Sequence, residues 1–223
     1  MAELYLLRHG QASFNSDDYD RLSPLGHTQA ERLGRALEAC GLRQPSFISG
    51  AMRRHRETLQ GLALPGAQSF DVDARWNELD HRALLVAAFP QYPDAATLRA
   101  GVAHEENPRA AFQRMFERSI ARWMSGAHDS DYDETWTRFV ERVLAAFTET
   151  VANADEDRDI VVSTSGGPIG IVLSQRLGLP PERGMGLTHG LVNASYTHLR
   201  IRHGQARLCC LNVHAHLERV TYR

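Results

Sequence analysis

The sequence predicts an α/β protein: a mostly parallel sheet with helices on both faces and a helical insertion. Three observations carry this. Short apolar strands alternate with amphipathic helices, the pattern that builds parallel sheets covered by helices. The runs Glu3-Leu4-Tyr5-Leu6-Leu7 and Asp159-Ile160-Val161-Val162-Ser163-Thr164 read as strands, the second of a fully buried type. From about 80 to 133 the alternation stops, and prolines at 90, 93 and 108 interrupt the chain. At 223 residues and 43% apolar composition, one domain over 1–223 with an insertion at about 80–133 can bury a sizeable core.

The elements follow in order. After the first strand, Ser23 is placed to cap a helix and Pro24 suits its first turn. Leu25, Ala30, Leu33, Leu37 and Cys40 share one helical face, and Gly41 ends it. Ser46–Ser49 is a second strand, Arg53 to Leu62 a second helix, and Gln68 to Val72 a third strand. Within the insertion, Phe112, Met115, Phe116, Ile120 and Trp123 form a helical stripe that reads as core packing. Trp136, Phe139, Val140, Val143, Leu144, Phe147 and Val151 line the next helix. A helix through Leu177 follows the strand that ends at Thr164. Two terminal strands, 195–202 and 206–213, are joined by a turn at His203-Gly204-Gln205.

Composition narrows the function classes. A net charge of −2 provides no global field toward nucleic acid or an acidic membrane surface. No apolar run is long enough to span a bilayer, and the first residues lack a signal-peptide pattern. Cys40, Cys209 and Cys210 are odd in number and two are adjacent, so the expectation is reduced thiols in a cytoplasmic protein. His214 and His216 share a strand face, but no carboxylate or cysteine stands in register with them. No metal site or cofactor is expected.

In sheets of this kind ligands bind beyond the carboxyl ends of the strands. Three such ends carry chemistry. The first is Arg8-His9-Gly10-Gln11, with Asn15 beyond it. The second runs Ser49-Gly50-Ala51-Met52-Arg53-Arg54-His55-Arg56-Glu57-Thr58, and the third is Thr164-Ser165-Gly166-Gly167. Together they offer arginine forks, an imidazole, hydroxyls and a helix N-terminus, a set suited to a phosphate dianion. Arg53, Arg54 and Arg56 compete for one role. Arg54 and Thr58 lie one turn apart on a shared face, whereas Arg53 is spaced to pair with Glu57 on the surface.

These residues resemble the histidine phosphatase superfamily, the phosphoglycerate-mutase-like group, over nearly the whole chain and in the right order. Arg8-His9-Gly10-Gln11-Ala12 is similar to the family signature, and Leu22-Ser23-Pro24-Leu25-Gly26 with Gln29-Ala30 to the opening of its first helix. Ser49-Gly50 through Arg54 and Thr58 resembles its second arginine motif. The resemblance implies that His9 is the phosphorylated nucleophile, oriented by the Gly10 carbonyl, and that Arg8, Asn15 and Arg54 contact phosphate. It implies that Glu78 is the acid, with Asp80 as rival. One position departs from the pattern. Most members carry a second histidine in a Ser-His-Gly-Gly context, and here Ser165 stands in that place before Gly166. Ser165 and Gly166 are then the expected phosphate donors there, and a histidine from elsewhere, such as His81 or His189, is a candidate to fill the gap.

The implied activity is metal-independent hydrolysis of a phosphomonoester or phosphoprotein through a phosphohistidine. Mutase-type phosphoryl transfer, or a catalytically weak phosphate-binding or regulatory protein, stands as the alternative. The implied partner is a small phosphorylated metabolite or phosphoprotein, with oligomeric state open.

Overall fold

A computed structural model describes residues 1–13 and 20–222, so Asn15 lies outside the described residues. Six strands form one sheet in the order β3-β2-β4-β1-β5-β6. At its centre, β1 (Ala2–Arg8) pairs parallel with β4 (Ile160–Thr164) and antiparallel with β5 (Tyr196–Arg202). β2 (Ser46–Ser49) lies parallel to β4 on its other side, and β3 (Asp71–Val72) lies parallel to β2. β6 (Gln205–Val213) closes the far edge antiparallel to β5, so the sheet is mixed and mostly parallel. The hairpin before β6 turns on His203 and Gly204, both at positive φ, as a tight two-residue turn requires.

Two strands differ from the sequence expectation. Gln205 belongs to β6 rather than to the turn. The third strand shortens from 68–72 to Asp71–Val72, because the chain before it is still turning. Ser69 N–H bonds back to Gly66 C=O, and the Gln68 side chain donates to Gln60 C=O.

α1 (Pro24–Ala39) begins as Ser23 and Pro24 dictate: Ser23 Oγ accepts the Gly26 N–H, and Gly41 beyond its end sits at φ +73°. α1 and α2 (Arg53–Gly61) cover one face of the sheet, where Leu33, Leu37, Leu59 and Leu62 pack with Tyr5, Leu7, Phe47 and Val161. α7 (Gly166–Arg176) is buried along Gly166–Ser174 and crosses α8 (Pro181–Leu187) through Gly170 and Gly184. Among the described residues, no helix is long and apolar enough to cross a membrane.

The chain divides into two compact units, Met1–Glu78 with Arg142–Arg223, and Leu79–Glu141. The second is helical: α3 (His81–Ala88), α4 (Ala95–Val102), α5 (Pro108–Met124) and the start of α6 (Trp136–Ala152). Asp80 caps α3 by accepting the N–H groups of Arg82 and Ala83. Trp123, Trp136 and Phe139 pack ring to ring at 5.2–6.0 Å.

α1 and α2 meet through Gly34, where a Cβ would lie 1.8 Å from the Leu62 carbonyl oxygen. Helix propensity alone favours alanine over glycine by about 1 kcal/mol. The backbone clash outweighs that gain, and we expect Gly34→Ala to destabilise the protein by about 3 kcal/mol. Thermal unfolding reads this as a fall in Tm of roughly 6–12 °C.

Candidate active site

The carboxyl ends of β1, β2 and β4 lie side by side. Arg8 stands in register with Thr164, and Ser49 with Ser163. His9 and Ser165, each the next residue, are therefore neighbours at the same edge. The β1 end is held in place by backbone bonds: His9 N–H donates to Thr164 C=O at 3.0 Å, and Ala194 N–H to Arg8 C=O at 3.0 Å. Asn193, which the sequence analysis missed, donates from its side chain to His9 C=O at 3.2 Å and accepts from Thr221. No motif marks Asn193, which is fully buried.

His9 is buried, and its Nδ1 lies 2.7 Å from the Gly10 carbonyl. A carbonyl can only accept, so Nδ1 carries the proton and Nε2 keeps its lone pair. Burial holds the His9 pKa well below the usual imidazole value, and the nearby Arg54, His55 and Arg8 push it further down. The ring is thus neutral, with the Nε2 lone pair available. Gly10 N–H donates to Thr58 Oγ1, whose own hydroxyl donates to Arg54 C=O, so the loop after β1 is tied directly to α2.

The three arginines differ in direction. Arg54 is 6% exposed and pairs with Asp20 at 2.7 Å, whereas Arg53 pairs on the surface with Glu57 at 2.6 Å and Arg56 is exposed. Arg8 donates to the carbonyls of Leu191 and Tyr222. Gly166 lies beside it: a Cβ there would stand 3.9 Å from Arg8 Cζ. Glu78 Oε2 accepts the Gly167 N–H at 3.2 Å, which puts the carboxylate at the first turn of α7. Trp76, two residues before, is fully buried.

Ser165 differs from its expected role. Its hydroxyl is fully covered and turned inward, 2.7 Å from His55 Nε2. His55, also fully buried, lies with its ring centre 5.7 Å from that of His9. The imidazole next to His9 is therefore His55. His189 is exposed, and His81 packs on Phe116 in the helical unit. On α2 the sequence pattern marks the Arg54–Thr58 face, and nothing in it singles out His55 between them. The paired signal was present: Gly50 and Ser165 are small at two adjacent strand ends, and His55 fills the space they leave.

Burial, then Arg54, also holds the His55 pKa well below its ordinary value. Both histidines stay neutral in the fold while the unfolded chain takes up protons below pH 6.5, so the unfolded state binds more protons there. Stability is therefore full above that pH and falls as pH drops toward the depressed folded values. Each histidine contributes about 1.4 kcal/mol per pH unit to this slope. Urea unfolding at pH 7, 6 and 5 should show the loss, and replacing either histidine with an uncharged residue should reduce its slope.

Among the described residues, no cluster of His, Cys, Asp or Glu is arranged to hold a metal ion. His214 and His216 are bonded instead to the carbonyls of Asn212 and Ala194. The three cysteines are exposed and unbridged.

The sequence profile described as "Histidine phosphatase superfamily (branch 1)" matches residues 4–95 and 96–214. No curated protein matches the chain in sequence. Among solved structures, the chain is similar to mycobacterial glucosyl-3-phosphoglycerate phosphatase in complex with inorganic phosphate. That match has 26% identity and a TM-score of 0.63, covering 98% of this chain and 100% of that one. It is also similar to mycobacterial hydrolase 1, at 27% identity and a TM-score of 0.62, over 96% and 99% of the two chains. Phosphoserine phosphatase from Entamoeba histolytica, in complex with phosphoserine, shares the fold at 18% identity and a TM-score of 0.63, over 97% and 100%.

Proposed function

Because the chain belongs to branch 1 of the histidine phosphatase superfamily, we propose that it hydrolyses small phosphomonoesters through a phosphohistidine on His9. The observation that carries this reading is the state of His9: buried, neutral, and fixed through Nδ1 so that Nε2 is the reactive nitrogen. Arg8 and Arg54 bind the phosphoryl oxygens and balance their charge. Nε2 attacks phosphorus in line, and the bond to the ester oxygen breaks as Glu78 gives that oxygen a proton. Water then attacks phosphorus, the N–P bond breaks, and Glu78 takes the proton that water loses. Phosphate and the alcohol leave, and His9 returns to its starting form.

The substrate class is taken from one of these similar structures. The mycobacterial phosphatase bears a phosphorylated small-metabolite name, and this proposal extends only that class to the present chain.

The test is to trap the intermediate. The protein is mixed with an aryl phosphate without added metal, quenched in denaturant, and digested for peptide mapping. The expected result is acid-labile, base-stable phosphate on the peptide containing His9. Label on another residue overturns the mechanism. Absence of both label and turnover in folded protein overturns the phosphatase reading and favours a phosphate-binding role.

A further inference from the structure

Resting on that reading of His9, we infer that His55 is a positioning residue for the nucleophile, locked by Ser165 and occupying the place of an imidazole borne on the strand end itself. Four positions make the arrangement. His55 Nε2 lies 2.7 Å from Ser165 Oγ, and the His55 and His9 rings are 5.7 Å apart with a 38° tilt. A Cβ on residue 50 would fall 2.2 Å from His55 Nδ1, so the ring fits only beside glycine. Both His55 and Ser165 are fully covered, so they act on the His9 ring rather than on a substrate.

The tautomer follows from the same contacts. His55 Nδ1 is buried, and no hydrogen-bond partner for it exists among the described residues. A buried N–H without an acceptor is costlier and rarer than an unused lone pair. The proton therefore sits on Nε2 and is donated to Ser165 Oγ. This fixes the ring plane of His55 behind His9, while the Gly10 carbonyl fixes His9 from its Nδ1 side. Small displacements of a nucleophile are expensive in rate, so the effect belongs to kcat.

Ser165→His alone is not a gain. The new ring would enter the volume that His55 fills, so the single variant should lose both stability and rate. The pair exchanged together is different: His55→Ala with Ser165→His empties one position and refills the space from the other.

The experiment measures kcat and KM for aryl phosphate hydrolysis, with Tm for every variant and His9→Ala as the control for the underlying reading. His55→Ala should lower kcat roughly 10²-fold with KM within about threefold. His55→Gln, whose amide reaches the same hydroxyl, should keep most of the rate. The double variant His55→Ala, Ser165→Ala should be no slower than His55→Ala alone, because the serine acts through the histidine. The exchanged pair should recover part of the loss. A folded His55→Ala protein with unchanged kcat overturns the inference, as do multiplicative losses in the double variant.

A second measurement does not depend on turnover. Long-range proton–nitrogen NMR of the imidazoles should show His55 protonated on Nε2 and His9 on Nδ1, with the His9 tautomer becoming mixed in His55→Ala. A His55 proton on Nδ1, or an undisturbed His9, overturns the inference. Wild-type hydrolysis no faster than that of His9→Ala would instead overturn the phosphatase reading, and the NMR result would still decide the role of His55.

Discussion

His9→Ala is expected to cut aryl phosphate hydrolysis on the order of 10⁴-fold or more, to the background rate, because nothing else in the site replaces the nucleophile. The same variant should still bind inorganic phosphate. The groups assigned to the phosphoryl oxygens, Arg8 and Arg54, are held by contacts that do not involve the His9 ring: Arg8 by the carbonyls of Leu191 and Tyr222, and Arg54 by Asp20. Phosphate should therefore raise the Tm of the variant about as much as that of the parent. Retained turnover would place the nucleophile elsewhere. Lost turnover with lost phosphate stabilisation would mean that the substitution had collapsed the site rather than removed one step.

Arg54→Ala should lower kcat/KM roughly 10³-fold, the cost of deleting a buried charged donor from a site where negative charge is transferred. It carries a second signature. Arg54 is a leading charge acting on both His9 and His55, and it pushes both pKa values down. Removing it lets His9 take up a proton at higher pH, so the acid limb of the pH–rate profile should move upward. Arg54→Lys keeps the charge and loses the planar fork; it should retain the position of the limb while recovering only part of the rate. A loss below tenfold with an unmoved limb would transfer the role to Arg53 or Arg56, the other arginines of the motif.

Much of this was legible in the chain because local chemistry left few choices. Ser23 and Pro24 start α1 where they stand, and the Thr58 spacing turns Arg54 inward while Arg53 meets Glu57. What was not legible depends on contacts far apart in sequence. His55 is ordinary at its own position in α2, and only Gly50 and Ser165, brought beside it by two different strands, give it a seat. Asn193 acquires meaning only when Thr221 and the His9 carbonyl reach it from opposite ends of the chain. The third strand was overextended because β-compatible composition does not reveal that a turn still occupies the backbone at Ser69.

The central position of β1 has a consequence for how the protein is made. The strand is synthesised well before both of its partners, β4, at 160–164, and β5, at 196–202. Until β4 has been made, this central strand has neither neighbour. Such long-range pairing slows folding and leaves an unpaired edge exposed meanwhile. The proposed nucleophile that follows this strand is correspondingly late to mature: His9 is in the nascent chain long before its setting closes, which waits for Asn193 and Ala194 to reach its carbonyl.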